Sequence, residues 1–366
     1  MKTTEEYLVP WMKGRSMYIS PHIELAWERP ELHRLMSNEN PYSPSKKVKE
    51  AIIKYAELGN RYPDQGLVVR SKLAEMNGLD GAENVIIGNG SSEVFDTIFR
   101  SLIEPGQEMI QHTPCFGIYE LRCEAAGGKM VSVPMLYEDN DFVFDVDAVI
   151  EAITDKTNLI IIANPNNPTG NFMSKEDFAK VAETGVPFII DEAYIEFSGL
   201  GKSRVEMVKE YKNVLITRTL SKAYGLGGLR FGYALGHAEF ITQLSAMLLP
   251  WNVGTIPMWA ALAALEDVDG LNERVEFNNS EAAYIENALS SIAGLTIFQS
   301  KGNFILFDGT DTGKIGNEMV AYALEKGFIL RSQPDLYGRN GWFRLTIGNK
   351  EENRELVKII REFFAK

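Results

Sequence analysis

Residues 217–232 read TRTLSKAYGLGGLRFG, and the fold can be read outward from them. The apolar run Val214–Thr217 just before them predicts a buried strand, so Lys222 falls a few residues beyond a strand end. Thr219 and Ser221 flank the lysine with small hydroxyls, a glycine-rich segment follows, and Arg230 stands eight positions on. An amine, hydroxyl donors and a fixed cation in one loop are the parts of a site for an anionic, carbonyl-bearing ligand. A surface lysine in a glycine loop is the other reading of the same residues, and the neighbouring segments decide between them.

At 366 residues the chain has room for about two domains of roughly 150 residues each. Its 37 basic and 50 acidic residues give a net charge of −13, which argues against nucleic acid and against an anionic membrane surface as partners. A local arginine cluster can still hold a small anion. Cys115 and Cys123, with four scattered histidines, form neither a disulfide framework nor a metal-ligand spacing, so no metal is expected. The start, MKTTEEYLVPWMKGRS, carries no signal-peptide pattern, and no apolar run is long enough for a bilayer. A reduced, cytoplasmic protein is the expectation.

Upstream, residues 1–45 hold five prolines and no clear periodicity, and predict an extended arm. Two short amphipathic helices follow, KKVKEAIIKYAEL after Ser43 or Ser45 and LVVRSKLAEMNG up to Gly78, with the turn Asn60–Asp64 between them. NVIIGNGSSEVFDTIF is a short strand running through Gly88–Ser92 into a helix start. Free backbone N–H groups and the helix dipole there suit an anion, so Gly90, Ser91 and Ser92 read as a phosphate cradle or as an ordinary helix cap. The missing third glycine disfavours a dinucleotide fingerprint. PCFGIYE sets Phe116 and Tyr119 at another strand-to-helix junction, where an aromatic ring packs into a core or stacks on a flat ligand.

Leu159–Ala163 is a continuous apolar run, as in a parallel strand covered on both faces, and it ends in Asn164, Asn166 and Asn167 among prolines. Phe188–Ile190 repeats the pattern and ends in Asp191, with Tyr194 three residues on. An acid at the tip of a buried strand either caps a turn or meets a positive partner such as a protonated ring nitrogen. Asp145 and Ser174 are candidate helix caps. Strand and helix signals alternate from about 85 to 235, with Phe231–Leu235 as one more strand. They predict an α/β fold with a mostly parallel, seven-stranded type of sheet flanked by helices. IPMWAALAALED starts a long helix toward a second unit, which turns to an α+β pattern from about 280. Arg331 and Arg344 occupy equivalent points of its last two strands and could face one anion. The division expected is an arm at 1–45, a large domain at 46–255, and a smaller α+β domain at 256–366 that includes part of the arm.

SNENPY, RYPD, GNGSSE, PCFGIY, NPNNPTG, IIDEAY, TLSKAYGLGGLRFGY, PWNVGT, ILRSQ and FRLTIG, in this order, resemble the fold-type I aminotransferases that use pyridoxal phosphate. The resemblance covers the chain from about residue 35 and, within that superfamily, is greatest to the histidinol-phosphate aminotransferases. It implies that Lys222 holds the cofactor covalently and then moves the substrate's proton, and that Asp191 pairs with the ring nitrogen. Asn167 and Tyr194 are implied to bond the ring's phenolic oxygen, and Phe116 to stack on the ring. Gly90, Ser91, Ser92, Thr219 and Arg230 are implied to hold the cofactor phosphate. Tyr62 would reach the phosphate of a neighbouring subunit's cofactor, making the active unit a homodimer. Arg344, with Arg331 beside it and Asn167 nearby, would grip the acidic group of an amino donor or of a 2-oxo acid acceptor such as 2-oxoglutarate.

The long aromatic arm (Tyr7, Trp11, Tyr18, Trp27) departs from the family pattern and keeps an aromatic amino acid aminotransferase as the alternative. Threonine-phosphate decarboxylase fits ILRSQ and FRLTIG less well. A pyridoxal-phosphate-sensing regulator lacks its DNA-binding extension here.

Overall fold

The computed structural model describes residues 3–299 and 301–365. Its larger part is built on a seven-stranded sheet in the order Val85–Asn89, Phe231–Gly236, Val214–Thr219, Phe188–Asp191, Thr157–Ala163, Glu108–Thr113, Lys129–Pro134. All neighbours run parallel except Phe231–Gly236, which is antiparallel to the strand on either side. Every residue of Phe188–Asp191 and of Val214–Thr219 is buried, as their unbroken apolar runs require. Successive side chains leave by opposite faces. Ile160, Ile162, Phe188, Ile190, Val214 and Ile216 join one core, while Leu159, Ile161, Ile189 and Leu215 join the other. The predicted caps are in place: Ser45, Asp145 and Ser174 accept hydrogen bonds from the backbone N–H of Val48, Ala148 and Asp177.

The smaller part is α+β. Its antiparallel sheet runs Thr296–Phe298, Phe304–Asp308, Trp342–Thr346, Arg331–Ser332. A core of Ile305, Phe307, Phe343 and Leu345 packs beneath helices Gly316–Glu325 and Lys350–Ala365.

Two features differ from the sequence reading. The arm is not wholly extended, because Pro21–Glu28 forms a helix with proline at its first position, where φ is already set. Its Ala26 packs with Leu32, Met36 and Ile329, and His33–Arg34 pairs in parallel with Phe328–Ile329. One buried residue per eight is too weak a pattern to announce a helix. The long helix foreseen after residue 255 is two helices, Thr255–Leu265 and Val268–Leu289. The first sends Met258, Ala260, Ala261, Ala264 and Leu265 into the large sheet's core, and the second sends Ala282, Ile285 and Leu289 into the small core. One straight rod could not serve both. Among the described residues no helix is long and apolar enough to cross a membrane.

Candidate active site

The carboxyl ends of the central strands deliver their polar side chains to one cavity of about 250 Å³. Ser91, Ser92, Phe116, Asn167, Asp191, Tyr194, Thr219, Lys222 and Arg230 all line it, and so do Ser37, Glu39, Tyr119 and Ser221. Lys222 and Asp191, far apart in sequence, therefore share one enclosure.

Asp191 is buried, and among the described residues it makes no ion pair. Its Oδ1 accepts the Thr217 hydroxyl at 2.9 Å and its Oδ2 accepts the Tyr119 hydroxyl. Burial lifts its pKa to about 6 against those hydrogen bonds. In the unfolded chain this carboxyl titrates near 3.8, so the folded, cofactor-free protein holds a proton there that the unfolded chain has lost. That contribution is complete below the unfolded value and is lost as pH rises through about 6. Stability of the cofactor-free protein should fall by about 3 kcal/mol across this window through Asp191 alone. Asp191→Asn should flatten that part of the curve in urea titrations at stepped pH; an unchanged slope would contradict the assignment.

Lys222 donates to the Ser37 carbonyl at 3.0 Å, and its ammonium lies 5.8 Å from the Tyr194 ring centroid. Burial, and then the Arg344 guanidinium, bring its pKa down to about 8, so a useful share is the free amine near neutrality. Capture of added pyridoxal phosphate in borohydride-stable form should therefore accelerate with a midpoint near pH 8. Arg344→Met should move that midpoint upward, since one of the charges disfavouring the ammonium is gone; a downward shift would refute the electrostatic account.

The Tyr194 hydroxyl accepts from Asn38 Nδ2 at 2.8 Å and from Asn167 Nδ2 at 3.3 Å. Both oxygen lone pairs are then engaged, and its own hydrogen is left to donate. Gly90, at φ 76°, precedes the helix Ser91–Leu102 and lies against the Arg230 guanidinium, where any Cβ would collide. Arg230 itself donates to the Gly227 carbonyl at 3.0 Å, and Thr219 donates to Ser221 Oγ at 3.0 Å. A helix N-terminus, a guanidinium and two hydroxyls thus lie close together, a setting that suits an anion.

Arg344 reaches the site from the smaller part. It donates to Asn167 Oδ1 and, at 2.9 Å, to the Met36 carbonyl, while its buried Nε has no partner. Among the described residues it makes no ion pair, and burial with Arg331 nearby lowers its pKa to about 10. Arg331 stands opposite Arg344 in register but turns to His22, whose Nδ1 accepts its Nη1 at 3.3 Å. Neither Arg331 nor Arg344 lines the cavity, and Arg344 meets it only through its bond to Asn167. Tyr62 does not line it either, being 81% exposed and stacked on Trp251.

Sequence reasoning assigned no role to Ser37, Asn38, Glu39 or Thr217, it read Ser221 only as a small hydroxyl beside Lys222, and it saw Tyr119 only as an aromatic at a junction. Thr217 had a signal, since it lies two residues from Thr219 and so on the same strand face. Asn38 was covered only by the string SNENPY, with no role attached, because its partner Tyr194 is 156 positions away.

The residues fit pyridoxal phosphate: an unpaired buried acid for a ring nitrogen, a donating phenol for a ring oxygen, an anion cradle and a partly neutral lysine. A pyridoxal-phosphate enzyme is the class that this fold and site define. A family model described as "Aminotransferase class I and II" matches residues 30–360. Histidinol-phosphate aminotransferase 1 of Bacillus cereus (strain ATCC 10987 / NRS 248) is 36% identical over 90% of this chain and 88% of its own length. Histidinol-phosphate aminotransferase of Akkermansia muciniphila is 35% identical over 95% and 92%. Among solved structures, Thermus thermophilus aspartate aminotransferase (a double mutant) superposes with a TM-score of 0.83 at 26% identity, covering 97% of this chain and 99% of the other. Histidinol-phosphate aminotransferase of Sinorhizobium meliloti, solved with pyridoxal-5'-phosphate, has a TM-score of 0.86 at 24% identity over 98% of each chain, a likeness of fold. The chain belongs to the class I and II aminotransferases and is a pyridoxal-phosphate-dependent enzyme of that family.

Proposed function

We propose that the protein transfers the amino group of histidinol phosphate to a 2-oxo acid, 2-oxoglutarate, as a cytoplasmic homodimer. The observation that carries an acidic substrate is Arg344: a buried guanidinium with no acid partner and one N–H unmatched, bonded to the cavity residue Asn167. A buried cation of this kind is strongly stabilised by an anion that arrives with the substrate. The choice of donor is supported by relatives at 33–36% identity that carry the histidinol-phosphate name.

Bound pyridoxal phosphate supplies an electron-withdrawing ring that stabilises the charge left when the donor's α-proton departs. In our reading Asp191 keeps the ring nitrogen positive, and Tyr194 and Asn167 orient the ring oxygen. Phe116 covers a ring face. Ser91, Ser92, Thr219 and Arg230, with the Gly90 turn, fix the phosphate. Lys222 would take the α-proton as an amine and hand it back on the cofactor's side. Arg331, next to Arg344 across the strand pair, adds positive field where the substrate's acid enters. Tyr62, exposed on this protomer, is free to serve a partner's phosphate site. Two free cysteines, Cys115 and Cys123, suit a reducing compartment.

The test is a side-by-side measurement of kcat/KM for histidinol phosphate, phenylalanine and tyrosine with 2-oxoglutarate, on protein whose mass in solution is measured. A clear preference for the phosphate ester in a dimer is expected. Equal or greater turnover of the aromatic amino acids would assign the enzyme to them instead, and an active monomer would remove Tyr62 from the site.

A further inference from the structure

Glu39 stands on the partition between two cavities. One is the Lys222 cavity of about 250 Å³; the other, of about 500 Å³, shares Glu39, Ser221 and Gly227 with it. Two residues lining the Lys222 cavity are acids, Glu39 and Asp191. Asp191 is committed to the Tyr119 and Thr217 hydroxyls at the cavity floor. Glu39 is therefore the lining carboxylate placed to meet an incoming substrate.

Its position is held from behind. Arg34 donates Nε to Glu39 Oε2 at 3.1 Å and Nη2 to Oε1 at 2.9 Å, a two-pronged grip that fixes the carboxylate plane. The Arg34 guanidinium in turn lies 5.3 Å from the ring centroid of Trp27, on the arm helix. A carboxylate offers about four acceptor positions and a bidentate arginine occupies two of them. The remaining two stay available to an N–H donor in the cavity.

We infer that Glu39 is a specificity-determining residue of the amino-donor site, accepting a hydrogen bond from an N–H of a nitrogen heterocycle on the donor. Arg34, backed by Trp27, is its positioning residue. The inference rests on the donor proposed above, because an imidazole carries such an N–H and a phenyl ring does not. A donor lacking the N–H gains nothing from Glu39 and leaves its carboxylate to water.

The experiment measures kcat/KM for histidinol phosphate, histidine and phenylalanine in wild type, Glu39→Gln and Glu39→Asp. Any effect of Glu39 exerted through Lys222 is common to all three donors, so the ratio of imidazole donor to phenylalanine is the readout. Glu39→Gln should lower that ratio roughly tenfold or more, mostly through KM, the size of one charge-assisted hydrogen bond. Glu39→Asp should recover part of it. Arg34→Gln should move the ratio the same way, and should add little in the Glu39→Gln background. A ratio unchanged within about twofold in Glu39→Gln overturns the inference while leaving the proposed donor standing. If wild type ignores histidinol phosphate but the histidine-to-phenylalanine ratio still collapses in Glu39→Gln, the donor is wrong and Glu39's role holds. A wild type that uses phenylalanine and neither imidazole donor removes both.

Discussion

Lys222→Ala should lower turnover by more than about 10⁴-fold while the protein still binds pyridoxal phosphate. The loss would combine the two roles proposed for one nitrogen: covalent capture of the cofactor and movement of the α-proton, the latter alone worth roughly 10²–10⁴-fold. Binding should survive because the groups proposed to hold the phosphate, Ser91, Ser92 and Arg230, and the acid Asp191 line the cavity independently of the lysine. Equilibrium dialysis of the cofactor beside a single-turnover assay separates the two. A variant that keeps a tenth of wild-type turnover would remove Lys222 from the chemistry. An added small amine that restores part of the rate would strengthen the assignment.

Asp191→Asn should cost roughly 10²–10⁴-fold in kcat, because removing one partner of a buried charge pair typically costs about 3–5 kcal/mol. The asparagine keeps the side-chain shape and can still accept hydroxyls at its one oxygen, so folding is spared while the charge is lost. Thr217 and Tyr119 aim neutral hydroxyls at a carboxylate that makes no ion pair among the described residues, and the positive ring nitrogen would be its natural complement. Cofactor affinity should weaken together with kcat. A drop of less than about tenfold, with the cofactor bound normally, would mean that the buried acid serves the fold rather than the chemistry.

Much of this site was legible from residue order. Leu159–Ala163 and Phe188–Ile190 read as parallel strands covered on both faces and Val214–Thr217 as a buried strand, and each leads at its carboxyl end into a group that faces the cavity: Asn167, Asp191 and Lys222. Strand direction explains that success, since parallel strands put all such ends at one sheet edge. Arg331 and Arg344 were correctly placed opposite each other, yet their guanidinium groups part, one toward His22 and one toward Asn167. Strand register sets where Cα atoms stand; it does not choose the rotamer.

The alternation of apolar runs and helix signals determined the α/β layering, the strand ends that carry chemistry and the glycine turn before Ser91, because periodicity and turn chemistry are local properties of the chain. Only the tertiary structure decided which groups surround them: Asn38 and Glu39 arriving from the arm, Tyr119 and Thr217 closing on Asp191, Arg344 crossing from the smaller sheet. Those contacts join residues from 26 to 177 positions apart. The free energy of each is set by burial and by the charges that packing brings near, which no window of neighbouring residues contains.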